Sequence, residues 1–157
     1  MKKLMLLITL AMFCWACGGS SEKSSDDGTP KAKPKSMIKK DDGKGIGETT
    51  SITLNDPLNE EMIANGKAIY ELKCAACHKL TDKRVVGPGW EGLSKKRKPE
   101  WIMNMITNVD IMLEKDPQAQ KLLEECLTRM PNQNVSIDDA RDILEFIFKN
   151  DADRGVQ

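Results

Sequence analysis

The sequence predicts an all-α domain, and three features of it do so. Apolar residues recur at helical spacing in four stretches between residues 55 and 150. Each stretch opens on a proline or a capping side chain. No stretch alternates apolar and polar residues as a half-buried strand would. The first helix is expected to open at Asp56-Pro57, an N-cap followed by proline, and to carry Leu58, Met62, Ile63, Gly66, Ile69 and Tyr70 on one side up to Cys74. Pro99 opens the second, with Trp101, Ile102, Met105 and Ile106 on one stripe. Asp116-Pro117 repeats the cap-and-proline signature ahead of Ala119, Leu122, Leu123, Cys126 and Leu127. Ser136 with Asp139 three residues later is a capping box, and Ile137, Ala140, Ile143, Leu144, Ile147 and Phe148 point inward from the last helix. The stretches from His78 to Lys98 and from Arg129 to Val135 read as irregular.

The chain has 157 residues with 24 basic and 24 acidic side chains, so its formal net charge is zero. A balanced chain has no electrostatic drive toward nucleic-acid phosphates, and that class is set aside. Three Trp, one Tyr and three Phe are few for a domain of this size, and Phe13 and Trp15 fall in the leader. The thin core left over suggests that something besides side chains fills it. The single histidine, His78, excludes bis-histidine metal sites.

Met1-Lys2-Lys3 is a basic start, and Leu4 to Ala16 is apolar except for Thr9. At 1.5 Å per residue such a run reaches about 20 Å, short of a bilayer core of roughly 30 Å. Residues 1–16 therefore read as a secretory signal. Ala16-Cys17-Gly18-Gly19-Ser20 resembles the lipobox of bacterial lipoproteins, which implies acylation of Cys17. Residues 17–54, rich in Ser, Gly, Lys, Asp and Pro, read as a lipid-anchored flexible linker. The domain is expected over 55–150 and a short tail over 151–157.

Cys74-Ala75-Ala76-Cys77-His78 is C-x-x-C-H, the attachment sequence of c-type haem. Two thiols at this spacing add across the two vinyl groups of one porphyrin, and the adjacent histidine lies under the iron as an axial ligand. The competing readings explain less. A thioredoxin-like motif wants a preceding strand, and a zinc site wants four ligands, of which Cys126 would be one. A plain disulfide leaves His78 without a role.

With these residues in view, the stretch from 55 to 150 resembles a class I cytochrome c. Gly66 and Tyr70 stand where that family packs a glycine and an aromatic on its last helix. Gly87-Pro88 resembles the family's Gly-Pro, which implies that the Pro88 carbonyl accepts a hydrogen bond from His78. Met130-Pro131 resembles its Met-Pro, which implies Met130 as the second axial ligand. Met112, in a loop-like Asp110-Ile111-Met112, is the rival. Met62, Met103 and Met105 read as packing residues on helices. The resemblance implies one covalently bound haem c per chain, wrapped by a small helical domain, with His78 and Met130 on the iron.

An iron with both axial positions filled has no place for substrate, so the resemblance implies an electron carrier and no enzyme. Val85, Val86, Trp90, Leu93, Trp101 and Met105 are candidates to line the haem, and Trp90 or Trp101 could bond a propionate. Glu100-Trp101-Ile102, Asp116-Pro117 and Met130-Pro131 together resemble small cytochromes of anaerobic or branched respiratory systems. The expected role is a membrane-tethered, exported monomer on the periplasmic face. It would take electrons from a quinol-oxidising complex and pass them to a terminal reductase or oxidase. The alternative is a gas sensor or haem enzyme with a displaceable sixth ligand. Lys79, Lys83, Arg84, Lys95, Lys96, Arg97 and Lys98 flank the motif and would steer an acidic partner. Cys126 is expected to be a small core residue beside three leucines.

Overall fold

A computed structural model describes residues 42–156, so the expected signal, Cys17 and the first part of the linker lie outside the described residues. Among these residues there are six helices: α1 (Glu60–Lys73), α2 (Leu93–Lys96), α3 (Pro99–Thr107), α4 (Val109–Lys115), α5 (Pro117–Cys126) and α6 (Ile137–Asp153). No strand forms among them, only a single antiparallel bridge between His78 and Arg84.

Helix α1 starts later than its sequence suggests. Asn59, not Asp56, is the N-cap, and its side chain accepts from the Met62 N–H. The reason is a tertiary one. The fully buried Glu145 carboxylate of α6 accepts from the Asn55 and Asn59 N–H groups, so residues 55–59 are held as a turn outside the helix. Helix α3 does begin on Pro99, and Asp116 caps α5 by accepting from Ala119 N–H at 2.8 Å. Ser136 caps α6 through the Asp139 N–H.

Two helices were not expected. The one-turn α2 forms because the buried Asp151 carboxylate accepts from Gly92 N–H at 2.8 Å and Ser94 N–H at 2.9 Å. In place of the expected loop around Asp110-Ile111-Met112 stands α4, which buries Val109, Met112 and Leu113. Seven residues are too few for periodicity to announce a helix. Inward faces shift as well. Ile137 is 48% exposed at the first turn of α6, and Phe146 takes the buried place instead.

The central packing is α1 across α6. A Cβ on Gly66 would lie 2.1 Å from the Asp142 carbonyl oxygen, so only glycine lets the two backbones approach this closely. One helical turn on, the Tyr70 ring packs on Phe146 and Trp90 with centroids 5.5 and 5.0 Å away. The segment from residue 42 to 54, read above as linker, is bonded to this core. The buried Asn104 side chain donates to Lys44 O and Thr49 O and accepts from Thr49 N–H. Asn108 donates to Ile46 O, and Arg141 donates to Thr53 O. These residues form a strap along α3, α4 and α6, so the folded unit begins ahead of residue 55.

Candidate functional site

The end of α1 delivers the C-x-x-C-H stretch. Cys74 is the C-cap of α1, and both Cys77 N–H and His78 N–H donate to its carbonyl, so the pentapeptide continues as a tight turn. The Tyr70 hydroxyl donates to His78 O at 2.7 Å and fastens the turn to the helix. His78 then faces a cavity of about 590 Å³. Its ring Nδ1 stands 2.9 Å from Pro88 O. With that carbonyl as acceptor, Nδ1 carries the proton and Nε2 keeps its lone pair. Burial lowers the imidazole pKa, and the bond to Pro88 offsets part of that, so the ring stays neutral as a ligating histidine must. The chain passes so close that a Cβ on Gly87 would fall 2.4 Å from His78 Cε1. A glycine here lets the backbone lie flat against the ring.

Burial pushes the free Cys74 thiol up to about 11. Cys74 is half-buried beside the core, whereas Cys77 lines the cavity. Both thiols are free, so the disulfide reading of this motif has no support in the structure. No cluster of three or more metal-ligating side chains occurs among the described residues, so the zinc reading has none either.

The cavity lining separates the methionines. Met130 lines the cavity. Met112, the expected rival, does not: it is wholly buried on α4 behind the wall, where its Sδ accepts from Ile46 N–H at 3.0 Å. The strap therefore holds that sulfur. Met105 of α3 is the second methionine found in the wall.

Of the expected lining residues, Val86, Trp90, Leu93, Trp101 and Met105 take that place, while Val85 does not and is 48% exposed. The remaining wall is mainly apolar, with Lys96, Arg97, Thr128 and Arg129 the charged and polar residues in it. Ile102, Ile106, Leu113, Leu122 and Leu123 supply it, and α4 was the element that sequence periodicity missed. Trp101 is not free to bond a propionate. Its Nε1 donates to the buried Asp116 carboxylate at 3.1 Å, and the Arg97 guanidinium sits 4.9 Å over its ring. Trp90 packs on His78 with centroids 5.4 Å apart. Cys126 also departs from expectation. It lines the cavity, and its sulfur accepts from Arg84 Nη2 at 2.8 Å. Leu127, expected in the core beside it, is 89% exposed.

The residues present fit a haem. The cavity falls within the roughly 300–1,000 Å³ that cofactor sites occupy, and its wall is mainly apolar. A neutral imidazole with a pinned tautomer, a thioether and a thiol all line it.

The family model described as "Cytochrome c" matches residues 63–150. Among solved structures, the cytochrome c from Rhodothermus marinus aligns with a TM-score of 0.66 at 29% identity, covering 68% of this chain and 91% of that one. An engineered variant of it, Rma TDE, aligns at 0.64 and 28% identity with the same coverage. The cytochrome c domain of the pp3183 protein from Pseudomonas putida aligns at 0.50 and 25% identity, covering 55% of this chain and 88% of that one. No curated protein sequence matches.

Proposed function

The chain belongs to the cytochrome c family and carries haem c, and on that premise we propose that it is a membrane-tethered electron carrier with His78 and Met130 as the axial ligands of the haem iron. Cys74 and Cys77 form the thioether links to the porphyrin. The observation that carries this reading is the placement of His78, Cys77 and Met130 on one apolar cavity, with His78 Nδ1 held by Pro88 O. Haem c supplies a one-electron couple when bound. The protein residues position and shield it. Pro88 orients the imidazole and raises its basicity, and Gly87 allows the contact. The apolar wall from α3, α4 and α5 excludes water, which limits reorganisation on gain or loss of an electron.

Export and tethering follow from the leader and Cys17. No helix among the described residues is long and apolar enough to cross a membrane; in this reading the chain is attached through an acylated Cys17. The partners are a quinol-oxidising complex as donor and a terminal reductase or oxidase as acceptor, with the chain acting as a monomer. The cations from Lys79 to Lys98 favour acidic partners.

A second reading has Met130 leaving the iron and a small ligand taking its place. Met130 lies in an irregular stretch, which would let it move. The engineered Rhodothermus marinus variant is also described bound to a carbene intermediate. Carbon monoxide separates the two readings. The ferrous full-length protein is expected not to bind it, and the ferric protein to show the long-wavelength band of iron–thioether bonding. Rapid carbon monoxide binding with a high-spin ferric spectrum would overturn the carrier reading.

A further inference from the structure

Met130 is carried by a segment with almost no packing of its own. From Leu127 to Asn134 no residue is buried, and only Met130 and Gln133 are half-buried. Burial resumes at Val135, ahead of α6. The segment begins and ends on non-glycine residues in the left-handed region, Leu127 at φ 55° and Asn134 at φ 50°. Helical geometry is therefore interrupted at each end, and neither α5 nor α6 extends into it.

Two polar contacts hold the segment instead, and they flank the methionine. Before it, Arg129 pairs with Asp110 of α4 at 2.9 Å. After it, Lys73 Nζ of α1 donates to Gln133 O at 3.0 Å. Among the described residues, the segment's other hydrogen bonds are its start, Leu127 N–H to Leu123 O, and two contacts internal to it. Each anchor belongs to an element that also builds the site. Helix α4 supplies Leu113 to the cavity. Lys73 ends α1 just ahead of Cys74, so its bond joins the methionine segment to the turn that presents Cys77 and His78.

We propose that Asp110 and Lys73 are positioning residues for the axial thioether: they hold the 127–134 segment against the cavity and set the rate at which Met130 leaves the iron. The proposal rests on the assignment of Met130 to the iron. Neither residue lines the cavity, so both act through the segment that they fasten. The two ties differ in kind. Both side chains of the Arg129–Asp110 pair are more than half exposed, so salt screens it. The Lys73 bond is partly buried and ends on a backbone carbonyl, so salt weakens it less.

The test follows binding of added imidazole to the ferric, haem-loaded full chain. At high imidazole the observed rate stops rising, and this limiting rate is that of the sixth ligand leaving. Asp110→Asn is expected to raise it about two- to fivefold at low salt, and Lys73→Met about two- to tenfold. The double variant should raise it by about the product of the two. The resting variants should keep the iron–thioether band, because the closed form still predominates. High salt should bring the wild type close to Asp110→Asn and leave Asp110→Asn itself unchanged. Asp110→Glu, which keeps the carboxylate, should match the wild type. So should Glu114→Gln, which removes the exposed Glu114–Lys115 pair of the same helix. Limiting rates equal to wild type in both Asp110→Asn and Lys73→Met would overturn the positioning role while leaving Met130 on the iron. An equal rise in Glu114→Gln would overturn it as well, since loss of any α4 carboxylate would then suffice. If the wild-type ferric protein lacks the iron–thioether band and reaches no limiting rate, the axial assignment fails and the positioning role with it.

Discussion

Three residues show how single side chains decide the site. At Gly87 the backbone lies against the His78 ring, and any side chain would meet Cε1 at 2.4 Å. Gly87→Ala is expected to destabilise the protein by about 1–3 kcal/mol, as overpacking does, and to displace the ring. Denaturant titration and the ferric spectrum measure both effects. Met130 and Met105 share the cavity wall, whereas Met112 has its sulfur bonded to the strap. Met130→Ala is therefore expected to lose the iron–thioether band, while Met105→Leu and Met112→Leu keep it. If Met105→Leu removes the band instead, the axial assignment moves to α3. Leu127 gives a prediction of opposite sign. Glycine relieves a left-handed cost of about 1–2 kcal/mol and returns part of it as unfolded-state entropy. Leu127→Gly is thus expected to gain about 0.5–1 kcal/mol on thermal or chemical unfolding.

At the scale of elements, the helix starts divide into local and tertiary cases. Asp116 and Ser136 cap their own helices, so their signatures are legible in a few residues. Asn59 caps α1 because Glu145, 86 residues away, holds the preceding turn. Likewise α2 depends on Asp151, 59 residues from Gly92. No local pattern announces either. The strap is the clearest case. Its composition of glycine, lysine and small polar residues reads as linker, yet its backbone is bonded through Asn104 and Asn108. Asn104 is 1% exposed and makes three bonds, so Asn104→Ala leaves buried backbone groups unpaired and is expected to cost about 2–3 kcal/mol. Hydrogen exchange should show the Ile46 and Thr49 amides losing protection before those of α6. Uniform exchange would mean that the strap and the core open as one.

For the whole molecule, the cavity sets the stability. Without a haem the apolar side chains that line it would face water, at roughly 25 cal/mol per Å² exposed, and a small domain has only about 5–15 kcal/mol of stability in all. The chain without its haem is expected to lack a cooperative unfolding transition, and near-ultraviolet circular dichroism would show it. The deep Glu145 gives the pH dependence. Burial alone would raise its pKa. The Asn55 N–H, the Arg141 guanidinium and the Asn59 N–H outweigh that and hold it below the ordinary carboxylate value. A depressed native pKa adds stability that is fully present above the unfolded value of about 4.3 and is lost as pH falls through the native value. The stability gap between wild type and Glu145→Gln should therefore be constant near neutrality and narrow in acid. A gap unchanged down to strongly acidic pH would contradict the assignment.

What the sequence determined by itself was the chemistry and the outline. C-x-x-C-H, Gly-Pro and Met-Pro are short covalent spacings, and cap-and-proline pairs act within one turn, so both are visible without a fold. The tertiary structure decided which methionine stands in the cavity wall, which tryptophan is already bonded, where the strap runs and that Leu127 stands bare. Each of these depends on groups tens of residues apart coming within bonding distance. Such contacts are set by how α1, α6 and the strap pack, and local periodicity carries no record of them.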